Sequence, residues 1–123
     1  MILSMATFDD VRKIALSLPE TDEHASYGGR SAFRVHKKGF VHLRDDETSL
    51  SVYVSDLGEK EALLVSDPRK FFTEDHYNGY AAVLLRLDEV DVDELRELLV
   101  EAWRVQAPKR LRKAFEAQEP GAG

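Results

Sequence analysis

Apolar residues near the start of the chain recur at the spacing of a helix. They form one stripe that covers about three turns, made of Phe8, Val11, Ile14, Ala15 and Leu18. Thr7 stands before this stripe with Asp10 three residues later, a pattern typical of a capping box at a helix N-terminus. Because the residue before a proline avoids the helical region, Pro19 places the end of this first helix at or near Leu18.

The hydrophobic period changes to two between residues 31 and 55, which predicts three strands in a meander. Lys37, Lys38 and Gly39 are typical of a three-residue hairpin loop with Gly39 in the left-handed conformation. This register pairs His36 with Phe40 and gives the sheet one dry face and one polar face. The polar face is expected to carry Arg34, His36, Phe40, His42 and Arg44 from the hairpin, with Tyr53 from the third strand.

The second half of the chain alternates between short helices and short strands. We expect a helix at 57–65, a brief edge strand at 71–72, a strand buried on both faces at 80–87, a helix capped by Asp91, and a last helix at 108–117. These elements predict an α+β fold with two layers. Its antiparallel sheet contains the three-stranded meander and one or two further strands, and its helices pack on one face.

Length and composition narrow the class of protein. The chain has 123 residues, 43% of them hydrophobic, and no cysteine. We expect a single domain over 1–123, with a core at about 7–116 and a flexible tail at 117–123. The lack of cysteine excludes thiol catalysis and a disulfide scaffold. No apolar run approaches the ~20 residues that span a bilayer and no targeting signal is recognisable, so a cytoplasmic protein without membrane contact is expected.

The net charge of −6 hides an uneven distribution along the chain. Residues 24–44 hold five basic side chains and no acidic one, and residues 104–123 hold five basic against two acidic. The segment between them, 45–103, holds sixteen acidic and five basic side chains. A basic hairpin and a basic C-terminal helix are therefore separated by an acidic middle, and the overall charge does not exclude a phosphate-binding surface.

Two interpretations of the basic hairpin stay open. In the first, Lys37 and Lys38 at its tip reach a phosphate backbone, while Phe40 and Tyr53 stack on unpaired bases. In the second, the same side chains belong to a solvated sheet face, where they balance nearby Asp and Glu.

No set of residues has a spacing typical of catalysis. The chain lacks G-x-S-x-G and the glycine-rich phosphate-binding patterns. His36 and His42 lie diagonally across the predicted hairpin with no carboxylate in the hairpin to complete a metal site. We therefore predict no catalytic residue, no metal and no cofactor, and a protein that is not an enzyme.

The segment 76–80 places aromatic rings, an imidazole and an amide in one predicted loop. His76, Tyr77 and Tyr80 would suit a binding surface, because loops often carry function. Asn78 and Gly79 are also typical of a tight turn that packs the tyrosine rings and leaves their hydroxyls in water. Both interpretations remain open.

Several short segments stand in an order and spacing shared with one known family. They are Leu18-Pro19-Glu20, Tyr27-Gly28, Phe33-Arg34-Val35, Lys38-Gly39-Phe40, Asp67-Pro68, Phe71-Phe72, His76-Tyr77-Asn78-Gly79-Tyr80, Glu101-Ala102-Trp103 and Ala107-Pro108-Lys109-Arg110-Leu111. Together they resemble the MmcQ/YjbR family over residues 8–115. The resemblance implies a two-layer α+β domain related to CyaY-like and secretion-chaperone-like folds, which has been compared with "double-wing" DNA-binding domains.

The resemblance also implies which residues would contact DNA. On the hairpin they are Arg34, Lys37, Lys38 and Arg44. The last helix would add Lys109, Arg110, Arg112 and Lys113 if it lies on the same side. The leading prediction is thus a small non-catalytic protein that binds DNA backbones weakly and without sequence preference. The alternative is a protein-interaction or chaperone-like module whose outer sheet face, around Phe40 and Tyr53, docks a partner chain or a second copy.

Overall fold

The computed structural model describes residues 5–118. Its helices are α1 (Phe8–Ser17), α2 (Leu57–Ser66), α3 (Val92–Gln106) and α4 (Lys109–Gln118). Its strands are β1 (Thr21–Ala25), β2 (Ser31–Val35), β3 (Lys38–Leu43), β4 (Ser49–Tyr53), β5 (Phe71–Phe72) and β6 (Ala82–Arg86). Short 3₁₀ turns at Tyr27–Gly29, Asp75–Tyr77 and Leu87–Glu89 complete the described elements.

The helices begin at local capping residues, as the sequence predicts. The Thr7 hydroxyl accepts a hydrogen bond from the backbone N–H of Asp10, and the Asp10 carboxylate accepts one from the backbone N–H of Thr7. This reciprocal pair confirms the capping box of α1. At the start of α3, Asp91 accepts a hydrogen bond from the backbone N–H of Glu94 over 2.8 Å. Each such cap stabilises its helix by about 1 kcal/mol.

The six strands form one antiparallel sheet in the order β1-β2-β3-β4-β6-β5. The central meander of β2, β3 and β4 confirms the predicted α+β class, and β5 and β6 confirm the two further strands. β6 lies between β4 and β5, and Val83, Leu84 and Leu85 on its two faces are fully buried. β1 was not predicted, because its sequence Thr-Asp-Glu-His-Ala shows no apolar alternation.

The hairpin between β2 and β3 has a different turn from the predicted one. Its loop has two residues, His36 and Lys37, and Val35 pairs directly with Lys38. Both loop residues have positive φ, 48° and 70°, as in the two-residue turns that suit the twist of a hairpin. The prediction of a three-residue loop with a left-handed Gly39 is therefore wrong, and Gly39 lies inside β3.

A β-bulge follows the turn and changes the side on which one aromatic ring lies. Arg34 pairs with Gly39 and the preceding Phe33 pairs with Val41, so Phe40 is an extra residue without a partner opposite. The bulge directs Phe40 into the core, where it is 0% exposed beside Val41. The prediction that Phe40 lies on the polar face is wrong, because the inserted residue shifts the alternation of faces along β3.

Helices α1 and α3 cover one face of the sheet and form the core with it. Trp103 of α3 is fully buried, and its indole N–H donates a hydrogen bond to the backbone carbonyl of Pro19 over 3.1 Å. The ring of Phe115 in α4 lies 5.0 Å from the ring of Trp103. Together with the buried Leu111, this contact fixes α4 against the end of α3.

No helix within residues 5–118 has the length and apolar character needed to cross a membrane. The predicted flexible tail, 117–123, falls only partly within these residues. Ala117 and Gln118 are the last residues of α4. Residues 119–123 lie outside the described part of the chain.

Candidate functional site

Two basic segments that are far apart in the sequence meet at one corner of the fold. The side-chain amide of Gln106, at the end of α3, donates a hydrogen bond to the backbone carbonyl of Gly39 over 2.9 Å. Glu20 provides a second link. One of its carboxylate oxygens bonds Nε2 of His36 in the hairpin turn, and the other lies 3.9 Å from the guanidinium of Arg110. The hairpin turn and the first turn of α4 therefore lie side by side.

Four lysines in these two segments are free to contact a ligand. Lys37 and Lys38 are exposed on the hairpin. Lys109 and Lys113 are exposed on α4, and they project from the same side of the helix because they are four residues apart. Within the described range, these four lysines form no ion pair with another residue. We use the name basic corner for Lys37, Lys38, Lys109, Arg110 and Lys113.

Three of the arginines that were expected to contact DNA form contacts within the protein instead. Arg34 forms an ion pair with Asp22 of β1 over 2.8 Å. Arg112 donates a hydrogen bond to the backbone carbonyl of Arg104 over 3.3 Å. The third, Arg44, lies away from the basic corner and is described next. These contacts give the guanidiniums of all three arginines a partner within the protein.

Arg44 is a structural residue in this fold. Its side chain is only 15% exposed and donates hydrogen bonds to Ser49 and to Glu74, the latter over 2.7 Å. Its guanidinium also lies over the rings of Phe72 and Tyr77, 5.6 and 5.8 Å from their centroids. The expectation that Arg44 faces DNA together with the hairpin lysines is not supported, because neighbouring carboxylates and rings already occupy its guanidinium.

The sheet face opposite α1 and α3 holds an open cavity of about 640 Å³. A row of cross-strand neighbours forms its floor: His24 of β1, Ala32 of β2, His42 of β3 and Ser51 of β4. Ala82 of β6 extends this floor. The cavity exists because small side chains occupy positions where larger ones would fill the space.

Aromatic residues form the wall of the cavity, and a buried lysine holds that wall in place. The wall residues are Tyr53, His76, Tyr77 and Tyr80. The ammonium group of Lys60 in α2 donates hydrogen bonds to the backbone carbonyls of Tyr77 and Tyr80 over 2.7 and 3.0 Å. Lys60 is only 6% exposed, and this burial lowers its pKa. Lys60 stands between Glu59 and Glu61, a pattern typical of the solvated face of a helix. The sequence therefore does not distinguish this buried lysine from an exposed one.

Two histidines of the cavity floor are held in different ways. Burial, and then the positive charge of Arg44, lower the pKa of His42, so its imidazole is neutral near pH 7. Nδ1 of His24 is buried and has no hydrogen-bond partner among residues 5–118. In that same part of the chain, His, Cys, Asp and Glu nowhere form a group of three or more that could hold a metal ion.

The sequence matches one protein family over most of its length. A family model described as YjbR matches residues 16–105. The chain belongs to the YjbR family. Two curated relatives, uncharacterized protein Rv2570 of Mycobacterium tuberculosis and uncharacterized protein Mb2600 of Mycobacterium bovis, are each 40% identical to it. Each match covers 90% of this chain and 96% of the relative.

A solved structure shares the fold of this YjbR chain. The crystal structure of Deinococcus radiodurans protein DR2400, a DUF419 domain, superposes with a TM-score of 0.74 and is 23% identical in sequence. The match covers 97% of this chain and 96% of that one. The predicted family and the predicted α+β fold class are therefore confirmed.

Proposed function

We propose that this YjbR protein binds nucleic-acid backbones through the basic corner, weakly and without sequence preference. One observation supports the proposal above the others: the hydrogen bond from Gln106 to Gly39. It joins the end of α3, and with it α4, to the basic hairpin. Two basic segments of an acidic chain thereby act as one positive surface, which is the electrostatic requirement for holding a phosphate backbone.

The lysines would carry most of the binding energy. Each of the four exposed lysines is free to neutralise one phosphate and release its counterions. Arg110 contributes less, because Glu20 partly neutralises it. Arg34, Arg44 and Arg112, which the family resemblance would include, are left out of the proposed interface because their guanidiniums have partners within the protein. The proposal includes a cytoplasmic location and no catalytic step.

Fluorescence anisotropy with labelled duplex and single-stranded DNA tests the proposal. For four lysines, affinity for duplex should fall with salt at a log–log slope of about 3 to 4, since each neutralised phosphate contributes about 0.9. Reversing two of the charges, Lys37→Glu with Lys38→Glu, should reduce affinity and lower the slope by about 2.

A matched control reverses two charges away from the corner. Arg69→Glu with Arg96→Glu changes the net charge by the same amount. Arg69 stands beside β5 at the far edge of the sheet, and Arg96 is exposed near the N-terminal end of α3. The control pair should bind DNA nearly as well as the wild type. Equal losses in both pairs, or no binding by the wild type at ~50 mM salt, would contradict the proposal.

The alternative of a protein-docking surface around Phe40 and Tyr53 has less support. Phe40 is fully buried, so this surface would retain Tyr53 but lose one of its two aromatic anchors. Sedimentation of the wild type at increasing concentration tests self-association directly.

A further inference from the structure

The five residues of the basic corner do not line the cavity on the open sheet face, although Gly39 beside Lys38 does, and the cavity has a chemistry of its own. We propose that it binds a small organic cation, in which an ammonium or guanidinium group is attached to an aromatic body. The inference rests on the size of the cavity, its unpartnered polar groups, its charge and its aromatic wall. It does not depend on nucleic-acid binding, and either proposal can fail alone.

The size of the cavity suits a small molecule. Its volume is about 640 Å³, and pockets for small ligands span about 300–1,000 Å³. Small side chains on the floor, Ala32 and Ala82 among them, leave a flat base against which a planar group can lie. A cavity built on strands is also held more rigidly than one built on loops.

Polar groups on the floor lack partners within the protein. Ser51 is 3% exposed, lines the cavity, and its hydroxyl makes no hydrogen bond with another side chain or backbone group in the range 5–118. Nδ1 of His24, on the same row of the sheet, is unpartnered too, but it is closed off from the cavity. The Ser51 hydroxyl is therefore the unpartnered group of the floor that a bound molecule can reach, and it can donate or accept a hydrogen bond there.

The charge at the mouth of the cavity favours a cation. Asp45 and Glu74 line the mouth, and Asp46, Glu47 and Asp75 lie beside them in the sequence. Arg44 is the positive side chain among the lining residues, and Glu74 and Asp46 already neutralise it. The carboxylate of Asp45 has no ion pair with any described residue. Arg30 also lies nearby, because its guanidinium donates a hydrogen bond to the backbone carbonyl of Asp45 over 3.3 Å, but the carboxylate of Asp45 remains a partner for an ammonium group.

The wall supplies ring faces for the same kind of ligand. Tyr53, Tyr77 and Tyr80 surround the cavity, and tyrosine rings attract cations through their faces. The protein itself provides an example at this site, because the guanidinium of Arg44 already lies 5.8 Å from the centroid of the Tyr77 ring. A ligand cation would repeat this contact from the solvent side.

Three probes with one indole body and different charges test the proposal. They are tryptamine, which is cationic, tryptophol, which is neutral, and indole-3-acetate, which is anionic. Each is titrated into the full ¹⁵N-labelled chain at low salt while backbone amide shifts are followed by NMR. Tryptamine should bind about ten-fold more tightly than indole-3-acetate, with tryptophol between them. The shifts should centre on Ser51, Tyr53 and Ala82.

Variants assign the charge and the ring contributions. Asp45→Asn should weaken tryptamine several-fold and leave tryptophol unchanged, because it removes charge alone. Tyr53→Ala should weaken all three probes, since each stacks its indole on the same ring. Val65→Ala, an exposed apolar residue of α2 that does not line the cavity, is the control and should bind as the wild type does.

Several results would overturn the proposal. They are tighter or equal binding of indole-3-acetate, an absence of shifts at the cavity with millimolar tryptamine, and a loss of tryptophol affinity in Asp45→Asn equal to that of tryptamine. Amide spectra of the free variants show in each case whether the fold is retained, so a lost affinity is not confused with unfolding.

Discussion

The side chain of Gln106 bonds the backbone carbonyl of Gly39 over 2.9 Å, across 67 residues of sequence. Because Gly39 lies in β3 and Gln106 ends α3, this contact helps to set where α4 begins relative to the hairpin. Together with the link through Glu20, it determines how the four lysines lie relative to one another.

Replacing this amide should lower both stability and DNA affinity. Gln106→Met keeps the length of the side chain but leaves the Gly39 carbonyl without its donor, at an expected loss of about 1 kcal/mol in the free energy of unfolding. Urea denaturation and DNA anisotropy measure the two effects. Gln118→Met, at an exposed glutamine of α4, is the control. A variant with wild-type stability and affinity would show that the contact does not hold the two segments together.

Two substitutions at the hairpin turn separate the effect of lysine charge from the effect of backbone conformation. Lys37 has a φ of 70°, where a side chain is strained and glycine is not. Lys37→Gly should therefore raise the free energy of unfolding by about 0.5–1 kcal/mol while it weakens DNA binding. Lys38→Gly removes the same charge from a strand position with ordinary φ and should lower both quantities. Equal destabilisation of both variants would contradict the positive φ of Lys37.

The bulge in β3 predicts a large difference between two aromatic residues. Phe40→Ala should reduce the free energy of unfolding by about 3–5 kcal/mol, because it leaves a cavity in the core. Tyr53→Ala, at a ring that is 37% exposed, should cost about 1 kcal/mol. Denaturant unfolding of the two variants side by side measures this. Similar small losses in both variants would indicate that Phe40 lies on the surface, as simple alternation predicts.

His42 should make stability depend on pH. Its pKa in the folded state lies below the usual histidine value of about 6.5 because of burial and Arg44, so the unfolded chain binds the proton first as pH falls. Stability is therefore lost as pH decreases from 6.5 toward the folded pKa, by at most about 1.4 kcal/mol per pH unit. His42→Gln should lose less stability between pH 7.5 and 5.5 in urea titrations. An equal loss in both proteins would contradict this assignment.

Local signals were sufficient for much of the fold. The caps of α1 and α3 were predicted because a capping box involves residues three apart in sequence. The buried strand β6 was predicted because its residues are apolar on both faces. β1 was missed because it is held by pairing with β2 rather than by its own composition. The bulge at Phe40 was missed because an inserted residue leaves no mark in an alternating pattern.

The candidate site was only partly predictable for the same reason. The four lysines of the basic corner are exposed, as the polar pattern of the turn and of the last helix predicts, because a charged side chain is rarely buried. The position of the Arg44 side chain depends on Glu74, thirty residues further along the chain. The position of the Lys60 side chain depends on two backbone carbonyls. Such contacts exist only once the chain has folded. The meeting of the hairpin and α4 is likewise a product of tertiary packing.

The two edges of the sheet limit how copies of this protein can associate. β5 offers two residues at one edge, and β1 at the other edge carries Asp22 and Glu23. Very short or charged edge strands hinder the addition of a strand from another chain. The fold should therefore resist growth into extended sheets and fibrils.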